Sequence, residues 1–465
     1  MNGAEDGQVS LRRALLRGNV FWLSIVSLLN DTASEMIYPL VPYFLVSVIG
    51  ASPLALGGIE GAAESASSLL KLTGGWISDR VRRRKPIVVA GYTIAACARP
   101  LVALIRAPAQ LFAIRMADRV GKGIRNAPRD ALLVESVPAA ARGRAFGFNR
   151  AADHAGAVIG PLLATVLLFA LSSTFDAPGG EERAYRLVFA AALIPGIATV
   201  LILLLFVRES PRAGPAAADL ATAVDGSGTA GDASTSRTGG SAGPAAGGSR
   251  GRALPDVDSH PPSGAGGFTT GARVLHDTFA RYLAVLFLFT LGNASDAFLL
   301  LRATELGVAP ALAPMLWGVH HLSKVIWSVP GGALADRLGP RPAIIAGWFV
   351  YAATYAAFAV ASDAWHAWAL FVAYGLFYGL TEAPERALVA ALAPAHRRGS
   401  AFGAYHAAIG IGALPASLLF GYLYVRAGAP VALLTGAALA LVAALGLLLL
   451  VRPAQPVLSH ASAGA

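Results

Sequence analysis

The side chains best placed to do chemistry in this 465-residue chain are ionisable groups set inside long apolar runs. In the first run, Asp31 and Glu35 stand four residues apart and share one helical face. In the fourth, Arg115, Asp118, Lys122, Arg125 and Arg129 recur at steps of three and four, with Arg119 and Asp130 beside that stripe. Further runs hold Glu60, Glu64 and Lys71; Arg150, Asp153 and His154; Asn293, Asp296 and Arg302; His320, His321 and Lys324; and Glu382, Glu385 and Arg386. An ionisable residue at the centre of a bilayer costs about 2.5–3.5 kcal/mol on insertion scales, so each is a functional candidate by default. Low dielectric favours the neutral form of an unpaired carboxylate, which allows proton uptake and release near neutral pH. Glu35, Asp296, Glu382 and Glu385 are the expected proton carriers. Asp31, Lys122 and Arg125 join them as the expected solute-facing set, with Asp31 and Glu35 opposed to Lys122 and Arg125. The rival reading of these charges is structural, as ion pairs that latch helices together.

The composition says what must position these groups. Hydrophobic residues make up 55% and charged residues 14%, and the mean hydropathy is +0.58. Soluble chains carry roughly 45–50% apolar and about 25% charged residues, so a water-soluble enzyme and a disordered scaffold are both excluded. A single cysteine, Cys97, excludes a disulfide framework. A spanning helix needs about 20 mostly apolar residues. Runs of that kind fall near 20–45, 55–78, 86–105, 108–136, 146–171 and 186–207, and again near 279–304, 311–334, 343–361, 366–392, 402–425 and 429–451. The expectation is an all-α membrane protein of twelve transmembrane helices, in bundles over 20–210 and 273–452. Polar tails over 1–19 and 453–465 flank them. The segment 211–272, rich in Gly, Ala, Ser, Pro and Thr, is expected to be a flexible linker. The polar, acidic start lacks the pattern of a cleaved signal peptide.

Arg and Lys gather at alternate turns, at 79–85, Arg142 and Arg144, Arg208 and Arg212, Arg337 and Arg341, Arg397 and Arg398, and Arg452. The turns between them are poor in basic residues. The positive-inside rule then places both termini and the linker in the cytoplasm of a bacterial-type inner membrane. The net charge of +10 is accounted for by this topology. No basic stripe with interleaved aromatics indicates nucleic acid.

The chain also repeats itself. Gly75-Trp-Ile-Ser-Asp79-Arg80 after the second run matches Gly332-Ala-Leu-Ala-Asp336-Arg337 after the eighth. Ala127-Pro128-Arg129-Asp130-Ala131-Leu132 matches Ala383-Pro384-Glu385-Arg386-Ala387-Leu388, and Arg142-Gly143-Arg144-Ala145-Phe146-Gly147 matches Arg398-Gly399-Ser400-Ala401-Phe402-Gly403. The two bundles are therefore pseudo-symmetric repeats, an arrangement in which a solute site lies between them near mid-membrane. Sign reverses between Arg129-Asp130 and Glu385-Arg386, which suits either pairing across the pseudo-twofold axis or a gate at the cytoplasmic end.

The two Asp-Arg loops, each four residues beyond a Gly and followed by basic residues, resemble the signature loop of the major facilitator superfamily. The resemblance spans both repeats. It implies a gating role for Asp79, Arg80, Asp336 and Arg337, with Arg129 and Arg386 as further gate candidates. Arg82 and Pro340 depart from the family pattern. The fifth run, Gly156-Ala157-Val158-Ile159-Gly160-Pro161, is similar to the glycine-rich fifth helix of the superfamily's drug–proton antiporters. Gly156, Gly160 and Pro161 are expected to permit close packing and a bend, although Ala164-Thr165 stands where the pattern has paired glycines.

No phosphate-binding loop, zinc motif or nucleophile elbow appears, so neither an enzyme nor a cofactor is expected. Adjacent His320 and His321 point about 100° apart on a helix and are a poor pair for one metal ion. Tyr374 and Tyr378 share the face of Glu382 and either touch the solute or pack. The overall expectation is a monomeric secondary transporter in the lipid bilayer, exchanging protons for a small organic or drug-like solute in export. Proton-coupled import of an organic anion or zwitterion, and divalent metal efflux, are the alternatives.

Overall fold

The computed structural model describes residues 18–80, 83–136, 142–175, 177–209, 265–393 and 398–451. The side chains of 71–80, 134, 142–144, 146, 174, 265–276, 329, 335–336 and 398–400 lie outside the description. The first bundle contains α1 (Asn19–Ile37), α2 (Pro53–Arg80), α3 (Lys85–Ala98), α4 (Pro108–Glu135), α5 (Arg142–Ala170), α6 (Gly180–Ala191) and α7 (Leu193–Phe206). The second contains α8 (Ala265–Gly292), α9 (Ala297–Glu305), α10 (Ala313–Leu338), α11 (Pro340–Val360), α12 (Ala364–Leu392), α13 (Arg398–Ala427) and α14 (Ala429–Leu450). The pairs α6–α7 and α8–α9 each follow one span, so these fourteen helices make twelve rods. Both bundles belong to one compact unit, Met1–Glu209 with Leu275–Ala465. Most of the expected linker lies outside the described residues, but α8 starts at Ala265, inside the segment expected to be linker.

Backbone amides have no water partners in hydrocarbon, which is why the apolar runs become helices. Seven rods among the described residues meet combined limits of length, hydropathy and charge for crossing a membrane. The first, second, fourth, eighth and tenth do not, and these carry most of the charges noted above. Two joints are a single residue long. Gly339 (φ +88°) separates α10 from α11 and Gly428 (φ +86°) separates α13 from α14. Only glycine takes that conformation at little cost, and Pro340 and Pro430, at the first and second positions of the next helix, have φ already fixed.

The first and seventh rods are not continuous helices, unlike the sequence expectation. Beyond Ile37, α1 gives way to a 3-10 turn (Tyr38–Leu40), a short α turn (Val41–Tyr43) and a π segment (Phe44–Val48). Pro39 and Pro42 remove two backbone donors there. The seventh rod opens over 293–296, between α8 and α9. The Tyr351 hydroxyl donates to the Gly292 carbonyl at 2.9 Å and satisfies one group at the break. Gly292 is needed for close contact: a Cβ there would lie 2.9 Å from the Gly436 carbonyl oxygen.

Within the first bundle, α1 lies directly on α5. A Cβ at Gly156 would fall 2.4 Å from the Leu28 carbonyl oxygen, and one at Gly160 would fall 2.6 Å from that of Thr32. Pro161 lies inside an α5 assigned as one helix. The same added Cβ atoms would lie 3.1 Å from the Cβ atoms of Asp31 and Glu35 respectively, so α5 packs directly under these acids. Gly160→Val is expected to force the helices apart and cost about 1–3 kcal/mol, seen as a lower unfolding temperature in detergent.

The two bundles touch along small-residue seams. Gly57 and Gly61 of α2 face Ser417 and Leu414 of α13, and Gly421 faces Pro53 and Leu54. The Leu414 amide donates to Ser65 Oγ at 3.1 Å. On the other side, Gly318 of α10 packs on Pro161 of α5. At the opposite end of the first bundle, the amides of Arg84 and Lys85 at the start of α3 donate to the Glu209 carboxylate, the second at 3.0 Å. Glu209→Ala removes this cap and is expected to cost about 1 kcal/mol, read as an unfolding shift.

Candidate functional site

A cavity of about 600 Å³ lies between the bundles and takes its walls from both. It is lined by seven carboxylates (Asp31, Glu35, Glu60, Glu64, Asp296, Glu382, Glu385), six basic side chains (Arg99, Arg115, Arg119, Lys122, Arg125, Lys324) and His321. The seams just described gather at the Pro53 and Gly421 ends of their helices. Toward the other end, Glu382 and Arg386 are each 50% exposed, so the cavity opens that way.

In the first bundle the charges are held by one another. Arg99 donates to Asp118 at 2.9 Å and to the Asn30 backbone and side-chain oxygens at 2.8 and 2.9 Å. Asn30 Nδ2 in turn donates to Asp31 at 2.9 Å. Arg115 and Glu60 form a buried pair at 2.6 Å that ties α4 to α2, and the Arg115 guanidinium also lies 5.5 Å from the Tyr38 ring centre. Arg125 is buried, sits 4.3 Å from the ring centre of Tyr92 and reaches the Gly91 carbonyl at 3.4 Å.

Glu35 crosses between bundles. Trp317 Nε1 on α10 donates to its carboxylate at 2.8 Å, and His321 Nε2 lies 3.8 Å from the same oxygen. Lys122 from its own bundle and Lys324 from the other line the same cavity. Asp296 stands at the break between α8 and α9. Both of its oxygens are held from α12, by the hydroxyls of Tyr374 at 2.9 Å and Tyr378 at 2.7 Å. The Lys324 ammonium lies 3.7 Å from the Tyr378 ring centre. Glu385 is buried beneath Tyr405, which donates at 2.8 Å, and Trp348 Nε1, at 3.4 Å.

All seven expected solute- and proton-facing residues, Asp31, Glu35, Lys122, Arg125, Asp296, Glu382 and Glu385, therefore line one cavity. Arg125 is the one whose described contacts differ from the expected opposition to Asp31 and Glu35. Glu35 is bonded by Trp317, and Arg125 turns to Tyr92 and Gly91. The pairing of Arg129 with Glu385 across the pseudo-twofold axis is absent among the described contacts. Arg129 pairs with its neighbour Asp130 at 2.8 Å and donates to Ser27 at 3.1 Å. Arg386 pairs with Glu382 one turn away at 3.1 Å. Tyr374 and Tyr378, for which packing was one reading, hold Asp296. Of the gate loops, Arg337 is exposed at the end of α10, and the side chains of Asp79, Arg80 and Asp336 lie outside the described ones.

The third span's Arg99, and the partners Trp317, Trp348 and Tyr405, were not singled out in the sequence. One signal was available for the central acids. Ala33-Ser34-Glu35 in the first rod and Ala294-Ser295-Asp296 in the seventh repeat the same tripeptide with a conservative change of acid. Both acids border the irregular part of a rod.

Twelve membrane-spanning rods in two pseudo-symmetric bundles around a shared polar cavity define a multi-pass integral membrane protein. The model of the Major Facilitator Superfamily matches residues 23–301 and 281–465. The chain is 30% identical over 441 residues to the uncharacterized MFS-type transporter MJ1317 of Methanocaldococcus jannaschii, covering 94% of this chain and 95% of that one. It belongs to the major facilitator superfamily. A local likeness, 38% over 95 residues, links it to the multidrug resistance protein MdtH of Edwardsiella ictaluri, covering 20% of this chain and 24% of that protein. Among solved structures, the D-xylose–proton symporter aligns with a TM-score of 0.66 at 15% identity, over 94% of this chain and 98% of its own. That likeness concerns the fold.

Proposed function

We propose that the protein is a proton-coupled secondary transporter that exports a small organic solute by alternating access. The observation that carries this is the cavity shared by both bundles, closed by glycine seams at one end and open at the other, with carboxylates contributed by both repeats. The basic turns support an open end at the cytoplasm, with both termini on that side and the protein in a cell membrane. The local likeness to a multidrug resistance protein supports the outward direction.

The contacts support the following cycle. Solute enters from the cytoplasm and displaces protons from Glu35, Asp296, Glu382 or Glu385. Occupation disturbs the bond from Trp317 to Glu35, which crosses between bundles and is the direct link from the site to their relative motion. The bundles rock, the seams part, solute leaves, and outside protons refill the acids. One copy of the chain contains the whole cavity, so a monomer suffices.

The test is proton movement in energised inside-out vesicles with an acid interior. Candidate drugs, organic acids and amino compounds are added singly to the outer face, which is the cytoplasmic one. A compound that collapses the gradient only when the protein is present supports export. Solute-driven proton movement found only in right-side-out vesicles, with solute and protons entering together, would replace export with uptake. No response in either orientation would remove proton coupling.

A further inference from the structure

The charges of the cavity are unevenly matched. Arg99 is met by Asp118 at 2.9 Å and Arg115 by Glu60 at 2.6 Å. Among the described residues, no carboxylate comes within ion-pair distance of Arg125 or Arg119. Arg125 is 2% exposed and lines the cavity. Its Nε, like that of Arg119, is buried without a hydrogen-bond partner among the described residues. Its remaining contacts are a weak bond to the Gly91 carbonyl and the face of Tyr92. The nearby acid of its own helix, Asp118, is already taken by Arg99. A buried charge without a counterion is costly, and a cation–π contact offsets only part of that cost.

Close packing keeps Arg125 in this position. A Cβ on Gly91 would lie 2.6 Å from the Arg125 Cβ, so α3 meets α4 where the side chain leaves its helix. The guanidinium is an anchored fork, suited to two oxygens of an anion. The second bundle adds an apolar and aromatic patch, Leu286, Phe289, Phe377, Tyr378, Tyr405 and Ile409, beside its own carboxylates Asp296, Glu382 and Glu385.

We propose that Arg125, in a cavity that Arg119 also lines, forms the subsite for the anionic head of an amphipathic organic acid, whose ring or short apolar body rests on the aromatic patch of the second bundle. This rests on the transport reading above and narrows its solute to carboxylates and oxyanions of like geometry. A cavity of about 600 Å³ falls within the range of small-molecule sites, roughly 300–1,000 Å³.

The experiment uses the purified full chain in lipid nanodiscs and four probes read by calorimetry and thermal unfolding: benzoate, phenylphosphonate, benzamide and benzylamine. Benzoate and phenylphosphonate should each bind at least about tenfold more tightly than benzamide, the worth of one charge-assisted hydrogen bond. Arg125→Gln should abolish that preference, and Arg125→Lys, which keeps charge but not the fork, should retain part of it. Arg150→Gln, at a largely exposed residue outside the cavity, should leave it intact. If the Gln variant does not fold, the Lys variant decides. Equal binding of benzoate and benzamide by the unaltered protein, or an undiminished preference in the Lys variant, overturns the subsite. Anion binding without solute-driven proton movement would keep the subsite and remove the transport reading. Proton-coupled transport without anion preference would do the reverse.

Discussion

Glu35→Gln is expected to abolish proton-driven transport while leaving the protein folded. Glutamine has nearly the same shape, and its carbonyl oxygen can still accept from Trp317 Nε1, now 2.8 Å from the carboxylate. What it loses is the capacity to gain and release a proton between two bundles. Positioned proton-transfer groups contribute about 10²–10⁴-fold to rates, so gradient-driven solute movement should fall by roughly 100-fold or more. Solute exchange at equal pH on both sides needs no net proton transfer and should persist. The pair of assays separates a proton carrier from a residue that merely braces α1 on α10, because a brace would affect both. Full gradient-driven activity in the variant would remove Glu35 from the coupling path.

The largest expected stability effect lies at Arg115 and Glu60. Both are buried, and their contact at 2.6 Å joins α4 to α2 across the polar core of the first bundle. Glu60→Gln leaves the Arg115 charge without its carboxylate. Breaking a buried pair from one side costs about 3–5 kcal/mol, chiefly through the charge left behind. The unfolding temperature in nanodiscs should drop sharply. Adding Arg115→Met to the same chain removes the stranded charge and should recover most of the loss. If the double variant is no better than the single one, the pair contributes through something other than charge compensation.

The bilayer explains why so much of the fold was legible. A span must be about 20 residues long and mostly apolar, so the rods stand out even where charge interrupts them. The 3.6-residue period likewise made the stripe from Arg115 to Arg129 readable as one face of α4. The breaks were harder to see. Over 293–296 there is no proline, and the opening is supported by the Tyr351 hydroxyl, 59 residues distant in the chain. Partner choice was similarly hidden. Trp317 reaches Glu35 over 282 positions, and Tyr405 and Trp348 approach Glu385 from two other helices. Opposite charge on equivalent residues suggested that Arg129 would meet Glu385. Sequence symmetry carries no distance, however, and in this conformation each finds a partner in its own bundle. The small-residue seam of α2 on α13 escaped attention for a related reason. Gly57, Gly61 and Gly421 look like ordinary small residues in spans until the facing backbone is known.

Alternating access around the shared cavity is tested most directly by a distance across the closed seam. Ser52 and Arg426 are exposed and adjoin the ends of α2 and α13 that meet there. With the single native cysteine replaced as Cys97→Ala, spin labels at Ser52→Cys and Arg426→Cys report that separation by pulsed electron resonance in nanodiscs. A single short distance is expected for the unoccupied protein at neutral pH. A second, longer population should appear when a transported solute is added, and its share should change with pH in the unaltered protein but not in Glu35→Gln. One fixed distance under every condition, in a protein that still moves solute, would contradict opening at this seam and with it the account of how the two bundles work.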